Sequence, residues 1–193
     1  AISNNDPKKV EVALSEIPIA FEKMMVTFRR MFEKCSPDKY YHTLRPYLFG
    51  FDNIIYQGVE KFNGEPQTFR GETGAQSTVI PALRSFLGLQ HEKGGLTEHL
   101  EIMKDYMPKP HRELVSNIDN KNIRNFVINS NIGSLKDAYN ASIESLFQFR
   151  SLHLKMAHAF VAQKVKNPIG TGGTEFMHWL KQLRDETNQQ YVR

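Results

Sequence analysis

From Ser134 to about Lys166 the chain runs without a glycine or a proline. Ser134-Leu135-Lys136-Asp137 opens this run as a capping box would, and Asn167-Pro168 closes it. Within it Tyr139, Ile143, Leu146, Arg150, His153, Ala157 and Phe160 recur at steps of three and four. That spacing predicts one long helix with these residues on a single buried stripe. The other helix signals are similar in kind, and no alternation suggests a sheet. The predicted class is therefore all-α, a helical bundle with long loops.

Two members of the stripe do not belong in an ordinary core. Arg150 and His153, one turn apart, are costly to desolvate without partners. A lone histidine on an apolar helix is usually a core residue bonded to a backbone carbonyl, and Arg150 reads equally well as one end of a helix-face ion pair. A flat cofactor with a metal at its centre and carboxylates at its rim would satisfy both, and haem has that shape.

Composition narrows the classes. The 193 residues are 40% hydrophobic with a net charge of +4, which suits a single soluble domain with its own core. Lys8-Lys9 and Arg29-Arg30 are isolated basic pairs beside acids, so no nucleic-acid partner is expected. One cysteine, Cys35, excludes an internal disulfide and points to a reducing compartment. No apolar run approaches membrane length, and a cytoplasmic protein with no membrane partner is expected. His42, His91, His99, His111 and His178 show no metal-ligand spacing.

Along the chain, a first helix is predicted over Pro7 to Lys34, kinked at Pro18, with Val10, Leu14, Ile17, Phe21, Phe28 and Phe32 on one side. Ser36-Pro37-Asp38 starts a short helix to about Leu44. Phe51 to Glu72 reads as loop, and Ala75 to Leu87 as a helix bent near Pro81 and stopped by Gly88. Thr97 is expected to cap a helix to Tyr106, followed by short helices over His111–Ile118 and Lys121–Asn129. The last helix runs from Thr174 to about Gln189.

Five motifs follow in order: Tyr40-Tyr41-His42-Thr43-Leu44-Arg45, Phe69-Arg70-Gly71-Glu72-Thr73-Gly74-Ala75-Gln76-Ser77, Tyr106-Met107-Pro108-Lys109-Pro110-His111-Arg112, Arg150-Ser151-Leu152-His153-Leu154, and Gly170-Thr171-Gly172-Gly173-Thr174-Glu175-Phe176-Met177. In this order the set resembles the indoleamine 2,3-dioxygenase family, from about Ala13 to the C-terminus. That span corresponds to the C-terminal half of a typical member, without the small N-terminal domain and the first helices of the large one. The chain also begins without methionine and leads directly into the apolar first helix. The expectation is that residues 1–193 are part of a single haem-binding domain that travels with its own N-terminal segment.

The resemblance implies haem b, iron protoporphyrin IX, with His153 as the proximal ligand and Arg150, Gly71, Thr73 and Gly74 around the cofactor. It implies a substrate site of Tyr40, Arg45, Thr73, Thr171 and Gly172, in which Arg45 meets the carboxylate of an amino-acid substrate and Tyr40 flanks its indole. The Gly170–Thr174 segment becomes a mobile lid; read alone, it lacks the lysine of a phosphate loop. His158 points to another side of the helix and has no such role. Four positions depart from the family pattern. Tyr40 replaces phenylalanine, Glu72 a glycine, Thr73 a serine, and Arg84 an acid that usually links to the arginine at Arg150. The last puts the contacts to the haem carboxylates in question.

The implied activity is insertion of both atoms of O2 across the indole C2–C3 bond of tryptophan or a related indoleamine, giving an N-formylkynurenine-type product. No side-chain general base is needed, so no catalytic side chain is assigned. Two alternatives stand beside it: a myoglobin-like oxygen carrier and a haem monooxygenase acting on a related indole. A helical interaction module without cofactor is the plainest alternative.

Overall fold

A computed structural model describes residues 6–119 and 123–193. The all-α expectation holds, with one small hairpin added. Helix α1 (Pro7–Arg29) starts at Asp6, whose carboxylate accepts from the backbone N–H of Lys9 at 3.2 Å. The helix passes through Pro18 unbroken. Proline has no N–H, so the carbonyl of Leu14 loses its helical donor. Ser142, from a neighbouring helix, supplies one at 2.9 Å, and both residues are fully buried. The first helix does not continue to Lys34. The N–H of Arg30 bonds back to Thr27, which tightens the turn, and α2 (Met31–Lys34) restarts beyond it.

Helix α3 (Pro37–Lys39) continues past Leu44, widening into a π-turn at Tyr40–Leu44 and tightening into a 3-10 turn at Arg45–Leu48. The expected loop over Phe51 to Glu72 contains an antiparallel hairpin, β1 (Phe51–Ile54) against β2 (Gln67–Phe69). The register carries one extra residue on β1, where Asn53 adopts φ +56°. β1 is exposed throughout, so no alternation marked it. The rings of Tyr56, Phe62 and Phe69 pack together on the hairpin at 5.5–6.2 Å.

Helix α4 (Val79–Leu87) begins later than expected, because Gly74–Gln76 forms a separate 3-10 turn. Pro81 falls in the first turn of α4, where a missing N–H has no partner to lose. Gly88 ends α4 in the left-handed conformation, as its position predicted. Helix α5 (Gly95–Lys104) starts before Thr97, whose hydroxyl sits inside the first turn, accepting from Gly94 N and donating to Gly94 O. Helices α6 (Lys109–Asp119) and α7 (Ile123–Ser130) follow. The expected start at Lys121 lies outside the described residues.

The predicted long helix is α8 (Gly133–Phe160). Ile132 rather than Ser134 occupies its cap position, and the Ser134 hydroxyl instead donates to Glu11 at 2.9 Å. It ends at Phe160, not near Lys166. Val161 leaves helical geometry and joins Met156 and Phe160 in a small core cluster. Helix α9 (Phe176–Asn188) completes the chain. Helices α1 and α9 both lie along α8, which makes α8 the axis of the domain. The main core joins Leu14 and Phe21 of α1, Leu87 of α4 and Val127 of α7 to Leu135, Tyr139, Ile143 and Leu146 of α8. Phe32, expected on the buried side of the first helix, lies on α2 and is 54% exposed. No described helix is long and apolar enough to cross a membrane.

Candidate functional site

The same stripe of α8 that fills the core opens, beyond Leu146, onto two adjoining cavities. The first is about 290 Å³ and the second about 400 Å³. They share Phe28, Thr73, Gly74, His153, Thr174, Phe176 and Leu180, so His153 stands on their common wall. Its imidazole leans on the rings of Phe28 at 6.1 Å and Phe149 at 6.4 Å. Neither ring nitrogen has a hydrogen-bond partner among the described residues. Burial, and then the charge of Arg150, hold the ring below its ordinary pKa. A neutral imidazole with a free nitrogen is the form that ligates a metal. The exposed His158 points elsewhere on α8, as its spacing predicted.

Arg150 is buried one turn earlier and lines the second cavity. Its Nη1 donates to Leu183 O at 2.6 Å and to the Thr187 hydroxyl, tying α8 to α9. Burial and the nearby charge of Arg84 lower its pKa to about 10. Arg84 lines the same cavity and has no ion pair or hydrogen bond among the described residues.

The first cavity holds the expected substrate residues. Arg45 is 4% exposed and lies over the rings of Phe49 at 4.5 Å and Tyr41 at 5.2 Å. Its Nη2 donates to the carbonyl of Ile169, immediately before the glycine-rich segment. Tyr40 meets Phe160 edge-on at 5.6 Å. Thr73 caps the Gly74–Gln76 turn: its hydroxyl accepts from Ala75 N, and Gln76 bonds back to Thr73 N and to Gly71 O. Gly74 faces open space.

Gly71 is the exception among the expected cofactor residues, since it lines neither cavity. A Cβ there would lie 2.3 Å from Thr171 O, 2.4 Å from Leu48 O and 2.6 Å from Gly50 N. Three stretches of backbone cross at this point, and only glycine lets them approach. The crossing pins the glycine-rich segment over the first cavity. Thr171 donates its hydroxyl to Glu72 O, and Arg70 donates to Gly172 O at 3.3 Å. Gly172 itself is buried against His99 and Thr73. Glu72, where the family pattern has a glycine, is exposed and lines the first cavity.

His91 stands in no ligand spacing in the sequence. In the fold its side chain is 1% exposed, with Nδ1 against the Glu186 carboxylate and Nε2 buried without a partner among the described residues. Burial, then the charge of Arg150, depress its pKa to about 4. Its neighbours in sequence, Gln90 and Glu92, are polar and give no sign of burial; its partner lies 95 residues away.

This donor set fits a haem. One unbonded neutral imidazole stands between two cavities, the second cavity is mainly apolar, and its lining contains Arg84, Lys104 and Arg150 but no carboxylate. Among the described residues there is no group of three or more His, Cys, Asp or Glu that could hold a bare metal ion.

A profile of the family described as indoleamine 2,3-dioxygenase matches residues 1–168. Indoleamine 2,3-dioxygenase 1 of Rattus norvegicus is 31% identical over 98% of this chain and 52% of its own length. Indoleamine 2,3-dioxygenase nanC of Aspergillus nanangensis is 29% identical over 97% of this chain and 52% of its own. A protein named myoglobin from Haliotis madaka is 26% identical over 96% and 52% respectively. The chain thus spans about half the length of the curated relatives it matches.

Proposed function

The chain belongs to the indoleamine 2,3-dioxygenase family, and from that premise we propose that it is the haem-bearing part of a dioxygenase acting on tryptophan or a related indoleamine. The observation that carries this reading is the unbonded His153 imidazole on the wall common to both cavities. Haem b, when bound, supplies the oxygen chemistry, and the protein supplies binding, orientation and exclusion of water.

In this reading His153 holds the iron, and the mainly apolar second cavity receives the porphyrin, with Thr73 and Gly74 along its edge. The first cavity takes the indole. Tyr40 flanks the ring, and Arg45 offers a planar fork to the substrate carboxylate. Thr171 and Gly172 close the cavity from above, because their segment is already tied to Glu72 and Arg70. No side chain is assigned a proton-transfer role.

The exposed stripe Val12, Ile19 and Val26, at 62%, 58% and 51%, runs along the outer side of α1 at seven-residue intervals. We read it as the seat of the N-terminal segment that the family resemblance implies, the chain spanning about half the length of its relatives. The unpaired Cys35 thiol supports a reducing, cytoplasmic setting.

The relative named myoglobin makes an oxygen carrier the second reading. Arg45 and the tethered glycine segment favour the enzyme, since oxygen storage needs neither. Absorption spectra of the haem-loaded protein with and without L-tryptophan test the proposal. A Soret shift on adding L-tryptophan and a product heavier by two oxygen atoms are expected. One added oxygen indicates a monooxygenase, and none indicates a carrier. His153→Ala should abolish stoichiometric haem binding while His158→Ala leaves it intact. A full Soret band in His153→Ala would overturn the ligand assignment.

A further inference from the structure

The second cavity has one chemically distinct wall. Arg84 on α4, Arg150 on α8 and His91 in the loop after α4 all line it. The charges there do not cancel. Arg150 spends its Nη1 on a carbonyl and a hydroxyl of α9, both uncharged. Glu186 is the nearby acid. One of its oxygens is occupied by His91 and the other by Gln182 and the N–H of Glu92, and it does not line the cavity. Lys104, the third cation on the lining, is paired to Glu101 at 2.8 Å. Arg84 alone has no partner among the described residues. Arg84 lies close enough to Arg150 to help hold its pKa down, and two guanidiniums on a cavity lining that carries no carboxylate favour water or an anion beside them.

We infer that Arg84 is a carboxylate anchor for the bound porphyrin, sharing with Arg150 the negative charge at the cofactor's rim. This rests on the haem reading above and deepens it. Where an acid would pair with Arg150 and cancel its charge, Arg84 doubles the positive charge offered to the ligand. The wall therefore recognises a flat apolar ligand with two carboxylates better than the same ligand with none. A guanidinium meets a carboxylate through two parallel N–H donors, so the effect depends on geometry as well as charge.

The test compares ferric protoporphyrin IX with its dimethyl ester, which keeps the iron and ring and removes both negative charges. Dissociation rates into an excess of an apo-haem acceptor, and the Tm of the haem-free protein, are the readouts. In the wild type the free acid should leave about tenfold or more slowly than the ester. Arg84→Gln should erase most of that difference, speed loss of the free acid, and leave the ester unchanged. Arg84→Lys should recover part of it. The haem-free Tm of Arg84→Gln should equal or exceed the wild-type value, because a like-charge contact is relieved. A lowered haem-free Tm with equal losses for both probes would assign Arg84 a structural role and overturn the anchor. Equal retention of acid and ester by the wild type would also overturn it while leaving the haem reading standing. Uptake of neither probe would overturn both.

Discussion

One helix, α8, shows two kinds of interior. From Leu135 to Leu146 its inward residues are fully buried and every polar group among them is answered. Tyr139 donates to Leu87 O at 2.7 Å, and Ser142 donates to the carbonyl orphaned by Pro18. From Phe149 to Phe160 the same spacing delivers Arg150 and His153 to cavity walls. The first half is finished by protein alone. The second holds an uncompensated cation and an unbonded imidazole. Polar groups left in this way mark a functional site, and the closed half supplies the packing that holds them in place.

The comparison breaks most visibly in the closed half. Leu146→Ala should destabilise the haem-free protein by roughly 2–5 kcal/mol, since a fully buried leucine leaves a cavity that the packed helices cannot refill. Denaturant unfolding measures this. His153→Ala, one turn beyond Arg150, should scarcely move the same midpoint; a loss as large as that of Leu146→Ala would erase the distinction between the halves.

Arg45 tests the open half from the lining of the first cavity. Arg45→Ala should weaken L-tryptophan binding by roughly 1.5–3 kcal/mol, the value of a charged hydrogen bond, and leave indole binding nearly unchanged. Titration of the Soret band with each ligand separates the two. Equal losses would reduce Arg45 to a tether for Ile169.

The pH response sharpens the contrast further. His91 titrates near 4 in the fold against an ordinary 6.5, because of burial first and Arg150 second. As pH falls from about 6.5 to about 4, the unfolded chain takes up a proton that the folded chain refuses. Stability is therefore untouched above that window and declines through it, by up to roughly 3 kcal/mol. Glu186 adds to the loss at lower pH. Its burial opposes ionisation, but bonds from Gln182 and His91 outweigh that and hold its carboxyl below the ordinary value. Thermal melts of His91→Gln should show a flatter acid limb between pH 6.5 and 4. An unchanged slope would remove His91 from the account.

The smallest effect belongs to the Pro18–Ser142 pair. Ser142→Ala should cost about 1–2 kcal/mol by leaving Leu14 O buried without a donor. Pro18→Ala restores a backbone N–H, so in the Ser142→Ala background it should recover most of that loss. A double-mutant cycle with zero coupling would contradict the arrangement.

Local pattern was enough for α8, for its stripe, and for the stop at Gly88, since helical periodicity and left-handed glycines act within a few residues. The motif order along the chain was enough for the family. Helix ends were less legible. The Ser134 hydroxyl had Glu11 available as an alternative to capping, and Val161 found a core cluster by leaving the helix. The hairpin leaves no mark in the sequence because an exposed β1 has no alternating face. The site divided in the same way. His153, Arg150, Arg45, Tyr40 and Thr73 could be named from sequence because each stands in a motif. Gly71 stands in one too, yet its role at a crossing of three backbones exists only once Leu48, Gly50 and Thr171 are brought together. His91 has no motif, and Glu186 reaches it from 95 positions away. Spacing along a chain encodes what one helix or turn can do by itself. Pairings across long separations depend on how the helices pack, and only the tertiary structure decides them.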